Sequence, residues 1–131
     1  MSDVEALVVS WLAGRLDGTR VVAELPAEFE RHLPVVQVTA LPGPKDTRPW
    51  NHRHPLLWRP RVDVDVFATS RAAAFDLAST VAGHLHELTG QGSPWGHVSA
   101  VAEPAGPAWR PDYNTAVRRC GLTVELTLRA D

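Results

Sequence analysis

Cysteine, lysine and long apolar runs are scarce in this sequence, and each scarcity excludes something. The 131 residues contain one cysteine, Cys120, so neither an intramolecular disulfide nor a cysteine-based zinc cluster is available. A hydrophobic core must hold the fold together. No uninterrupted apolar run exceeds four residues, far short of the roughly 20 that a membrane helix needs. The start, Met1-Ser2-Asp3-Val4-Glu5, lacks the positive region of a secretory signal. The expected compartment is therefore a reducing cytoplasm, with no membrane partner. Lys45 is the single lysine beside twelve arginines, a bias that reflects a GC-rich genome and is not a functional signal. Neither G-x-G-x-x-G nor G-x-x-x-x-G-K-[ST] occurs, which argues against a doubly wound nucleotide fold.

The chain has ordinary globular proportions, with 44% hydrophobic and 21% charged residues, and its length suits a single domain spanning 1–131. Thirteen Lys and Arg against fifteen Asp and Glu leave a net charge of -2. That balance lacks the electrostatic footprint of a dedicated nucleic-acid binder.

Ser2 and Glu5 have the spacing of a capping box, and Val4, Leu7, Val8, Trp11 and Leu12 recur at helical spacing, predicting a helix from about Asp3 to Arg15. Arg20-Val21-Val22-Ala23-Glu24-Leu25 reads as a strand ended by Pro26, residues 26–32 as one irregular helical turn, and Val35–Ala40 as a second strand stopped by Pro42-Gly43-Pro44. Arg61–Phe67 alternates strictly, placing Val62, Val64 and Val66 on one face and Asp63 and Asp65 on the other. Ser70 caps a second helix with Phe75, Ala78, Ala82, Leu85 and Leu88 inward, ending near Gly90. Val98–Glu103 forms a short fourth strand, and Leu122, Val124, Leu126 and Leu128 alternate in a long fifth one. The order α-β-β-β-α-β-β predicts an α+β fold, a mostly antiparallel sheet with two amphipathic helices packed on one face.

Between the second and third strands, residues 41–60 are far longer than the two to five that a hairpin commonly needs. This arm carries Arg48, Trp50, His52, Arg53, His54, Trp58 and Arg59, and from Lys45 to Arg61 five cations meet the single Asp46. Trp and Arg are the residues most enriched at energetic centres of protein interfaces. A subunit or partner contact is the functional reading. The other is a loop folded back on its own domain, with its tryptophans against the sheet. Interleaved cations and rings also suit single-stranded nucleic acid, although the overall charge does not.

Chemistry is sparse. His84 and His86 stand two apart on a helix and diverge, no H-E-x-x-H occurs, and His52 and His54 lack partner ligands in sequence. Asp63 and Asp65 share a face and could hold magnesium or do acid–base work, but alternating Asp and Val is also what a half-exposed strand looks like. Glu125 and Arg129 are expected to pair with them across the sheet or across a subunit boundary. Cys120 has no neighbouring base in sequence and reads as a structural thiol. No catalytic residue, metal or cofactor is expected.

The pattern resembles the tail terminator (tail completion) proteins of long-tailed bacteriophages, especially those of actinobacterial phages. The resemblance covers nearly the whole chain and rests on Asp3–Leu12, Leu33–Val38, Pro60–Ala68, Arg71–Ala74 and Arg118–Arg129. It implies a non-enzymatic virion protein at the head-proximal end of the tail, assembled in the host cytoplasm. Such proteins form a six-subunit ring on the tail tube, end tube polymerisation and present the surface for head joining. The implied partners are other copies of the chain, the tail tube protein and a head-completion or connector protein, with genomic DNA only passing through the channel. Asp63, Asp65 and Glu125 are candidates for a channel lining that avoids holding phosphate. The alternatives are another neck or head-to-tail connector protein or, outside assembly, a small metal-dependent hydrolase or a host-directed binding module.

Overall fold

A computed structural model describes residues 3–41, 57–94, 96–112, 114 and 116–129. Helix α1, Val4–Ala13, is capped by Asp3, whose carboxylate accepts the Ala6 amide at 3.0 Å. This replaces the expected capping box. Ser2 lies outside the described residues, and Glu5 reaches across the domain to accept the Ala40 amide at 2.7 Å. Helix α2, Arg71–His86, starts as expected at Ser70, whose hydroxyl accepts the Ala73 amide at 3.1 Å.

The strands are β1 Arg20–Val22, β2 Val35–Leu41, β3 Leu57–Trp58, β4 Arg61–Ala68, β5 His97–Trp109 and β6 Arg118–Arg129. They form one curled sheet in the order β1-β2-β4-β6, with β3 and β5 also paired to β6. Only β1 lies parallel to its neighbour. The fold is α+β, with six strands where the sequence pattern predicts five. The extra one is an outpost of β4. Trp58 opposite Leu128 and Arg61 opposite Glu125 follow one continuous register along β6. Pro60, which has no amide hydrogen, interrupts the strand while its carbonyl accepts the Leu126 amide at 3.0 Å.

β1 stops three residues earlier than expected, and a 3-10 turn, Phe29–His32, leads through a cis Leu33–Pro34 bond into β2. β5 differs more. It runs 13 residues through Pro104 and Pro107, where Val98–Glu103 was expected. Two features make that possible: β5 is an edge strand, and its register against β6 slips between Val98 and Ala100, Ala102 and Ala105, and Ala105 and Ala108. Proline is tolerated at edges and bulges because no ladder bond is lost there, and each bulge adds twist.

Both helices cover the same face. Val36, Val38, Val62, Val64, Val66, Cys120, Leu122, Val124, Leu126 and Leu128 point toward them and are fully buried with Val8, Leu12, Ala74, Ala78, Val81 and Leu85. Burying each of the larger side chains contributes about 1.5–3 kcal/mol, which explains how the chain folds without a crosslink. α1 lies over β1 and β2, and α2 lies over β4, β5 and β6. The helices meet where the Trp11 indole donates to the His84 carbonyl at 2.7 Å.

Candidate functional site: the charged face of the sheet

The alternation that sends valines inward sends a second set of residues to the sheet face away from the helices. Cross-strand register sorts them into rows: Leu41, Arg61 and Glu125; Thr39, Asp63 and Thr123; Gln37, Asp65 and Gly121; Val35, Phe67 and Arg119. Arg110, just past β5, continues the last row through a 2.9 Å bond from its amide to the Arg119 carbonyl.

Asp65 is the centre of this face and, among the described residues, its only buried charged or polar side chain, 4% exposed. A buried carboxylate persists only when paired and hydrogen-bonded. Two arginines meet that requirement on one oxygen: Arg110 donates to Asp65 Oδ1 at 3.0 Å and Arg119 at 3.1 Å. Arg110 also lies 3.4 Å from Asp63, and Arg119 3.8 Å from Asp112. The hydrogen bond that Arg119 donates to Asp65 raises the Arg119 pKa above its ordinary value, against the opposing effect of burial. Asp63 accepts the Thr123 hydroxyl. Arg119 also lies over the Phe67 ring, which Phe29 meets edge-on at 5.1 Å.

Gly121 makes this packing possible. A Cβ there would lie 2.5 Å from Asp65 Oδ1 and 2.6 Å from the Arg110 guanidinium, so any side chain would push the pair apart.

The partners differ from those the sequence pattern predicts. Glu125 binds Arg61 at 2.9 Å rather than either aspartate, and it is Arg110 and Arg119, not Arg129, that hold Asp65. Arg110 carried no signal of its own in the sequence. The available clue was indirect, because an aspartate in the middle of a buried strand requires a cation from somewhere.

Of the arm residues, Arg48, Trp50, His52, Arg53 and His54 lie outside the described residues. Trp58 is half-buried on β3, packs against the core, and its buried indole nitrogen has no hydrogen-bond partner among the described residues. Arg59, next to it, is exposed. The tucked-in arrangement thus holds for Trp58.

His84 and His86 diverge: the first pairs with Glu87 at 3.0 Å, the second with Glu103 at 3.1 Å. Among the described residues no group of three or more His, Cys, Asp or Glu is placed to hold a metal ion. Cys120 is fully buried, and burial raises its thiol pKa. Among those residues, too, no helix is long and apolar enough to cross a membrane.

No family model and no curated protein sequence matches this chain. Asp63, Asp65 and Glu125 each face an arginine, so this face offers matched charges and filled hydrogen-bonding positions. That chemistry suits a rigid surface.

Proposed function

We propose that the protein is a non-enzymatic virion assembly subunit, a tail terminator that closes with copies of itself into a six-membered ring on the tip of a phage tail tube. The ring ends tube growth and presents the surface to which a head-completion or connector protein docks, while genomic DNA passes through its channel. The observation that carries this reading is the one-sided sheet. Both helices lie on one face, and the other is a broad surface whose charges are neutralised by Arg110, Arg119 and Arg61. A surface of that kind is a wall, able to stand beside DNA or another subunit without a bare charge to desolvate. The order of elements in the sequence supports the same family.

On this reading the channel candidates Asp63, Asp65 and Glu125 act as members of paired charges. Arg59 is the described arm residue free to serve an interface, since Trp58 is committed to the core.

The deciding experiment deletes the gene from a phage that carries it and images the progeny by electron microscopy. Tails of abnormal length without heads, restored when the protein is supplied in trans, are the expected result. Complete, infectious particles without the protein would end the proposal. Normal tails with unattached heads would move the assignment to a neighbouring connector of the neck.

A further inference from the structure

The two edges of the sheet are blunted by different means. β5, at one edge, carries Pro104 and Pro107 and slips register three times, which breaks the row of backbone groups that a further strand would pair with. At the other edge β1 is three residues long and covers Val35–Gln37 of β2. Among the described residues no strand lies beside the rest of that edge, Val38–Leu41.

Backbone N–H groups point alternately to the two sides of a strand. The Ala40 amide points away from β4, because it donates to Glu5 Oε2 at 2.7 Å. Glu5 stands in the first turn of α1, which lies over β1 and β2, and its neighbours Val4, Leu7 and Val8 turn into the core. A side chain from the helix layer thus fills, in the plane of the sheet, the position that the carbonyl of another strand would take. Ionised acceptors bind an amide more strongly than neutral carbonyls do. An intruding strand would therefore exchange the better acceptor for the weaker one, and the displaced carboxylate would stand against its carbonyl oxygens.

The segment that needs such protection is Val38-Thr39-Ala40-Leu41, which contains no charge, proline or glycine. Nothing in its side chains resists pairing with an identical edge. Antiparallel pairing of two such edges about a two-fold axis is self-complementary, an isologous contact.

We infer that Glu5 is an edge guard: its carboxylate caps the Ala40 amide and keeps the open half of β2 from pairing antiparallel with the same segment of a second copy. A two-fold dimer of that kind closes on itself, so blocking it leaves each copy available for other contacts. The inference goes beyond the ring reading and requires nothing from it.

The test compares Glu5→Ala and Glu5→Ser with the wild type, each first checked for folding by circular dichroism. At low concentration the Ala40 amide of both variants should exchange with solvent about tenfold faster than in the wild type, the factor expected from losing one charge-assisted hydrogen bond. At high concentration sedimentation should show a dimer that the wild type lacks at the same concentration, and the Ala40 amide should regain protection. Glu5→Gln, whose amide oxygen still accepts, should behave as the wild type. Ala40→Pro added to Glu5→Ala removes the N–H at an edge position that tolerates proline, and should abolish the dimer. Sedimentation unchanged from the wild type in both truncations overturns the inference and leaves Glu5 a tether of α1. Ala40 protection that stays high in the variants at every concentration also overturns it, because another part of the same chain then covers the edge. So does a dimer that survives Ala40→Pro.

Discussion

Gly121 lies directly opposite Asp65 across β4 and β6, and the space a Cβ would occupy there is taken by the Arg110–Asp65 ion pair. A residue without a side chain and a buried carboxylate are thus one structural unit. Gly121→Ala should destabilise the protein by about 1–3 kcal/mol through overpacking, read from chemical unfolding. Adding Arg110→Ala should recover part of that loss, because it removes the clashing atoms; purely additive effects would deny the coupling.

Asp65→Ala should be more harmful than loss of a partly exposed pair on the same face. Removing Asp65 takes the shared acceptor from two partly exposed arginines that keep Asp63 and Asp112 nearby, a loss of charge-assisted hydrogen bonds worth about 1.5–3 kcal/mol. Arg61→Ala, which loses only a pair whose arginine is exposed and whose Glu125 is partly so, should cost less, about 1 kcal/mol. Comparison of their unfolding midpoints provides the test, and equal midpoints would place Asp65 in solvent.

Leu7 is 3% exposed on the inner face of α1. Leu7→Asp forces a charge into the core and should abolish cooperative unfolding, whereas Leu7→Ala should lower stability by about 2–5 kcal/mol and keep it cooperative.

Cys120 gives the fold a pH dependence of known sign. Burial raises its thiol above the ordinary value of 9.0, partly offset by Arg71, so the unfolded chain loses this proton first. The contribution is constant below that value and stability falls as pH rises past it, by at most about 1.4 kcal/mol per pH unit. Urea unfolding between pH 7.5 and 10 should show a decline that Cys120→Ala reduces. An unchanged slope in the variant would mean the thiol is accessible to water.

Trp58 and Arg59 separate folding from docking. Trp58→Ala removes a ring packed on the core and should lower the unfolding midpoint. Arg59→Ala, at an exposed position, should leave it unchanged. If the arm joins subunits or the head, Arg59→Ala alters assembled tails; normal infectivity of that variant would confine the role to other arm residues.

Local periodicity was enough to locate most elements. The alternation of Val62, Val64 and Val66 and the helical spacing from Phe75 to Leu88 are consequences of side-chain geometry within a few residues, which sequence order already contains. The length of β5 was not legible, because Pro104 and Pro107 signal a break unless the strand is known to be an edge that bulges. Nor was the charged site. Alternation placed Asp63 and Asp65 on one face, but their partners depend on register. Arg110 is 45 residues from Asp65 and Arg119 is 54, and only the pairing of β6 with both β4 and β5 brings them to one oxygen. The sequence by itself determined which residues turn inward and which outward. The tertiary structure decided which outward charges meet and which edges remain open, because those relations are set by strand pairing between distant segments.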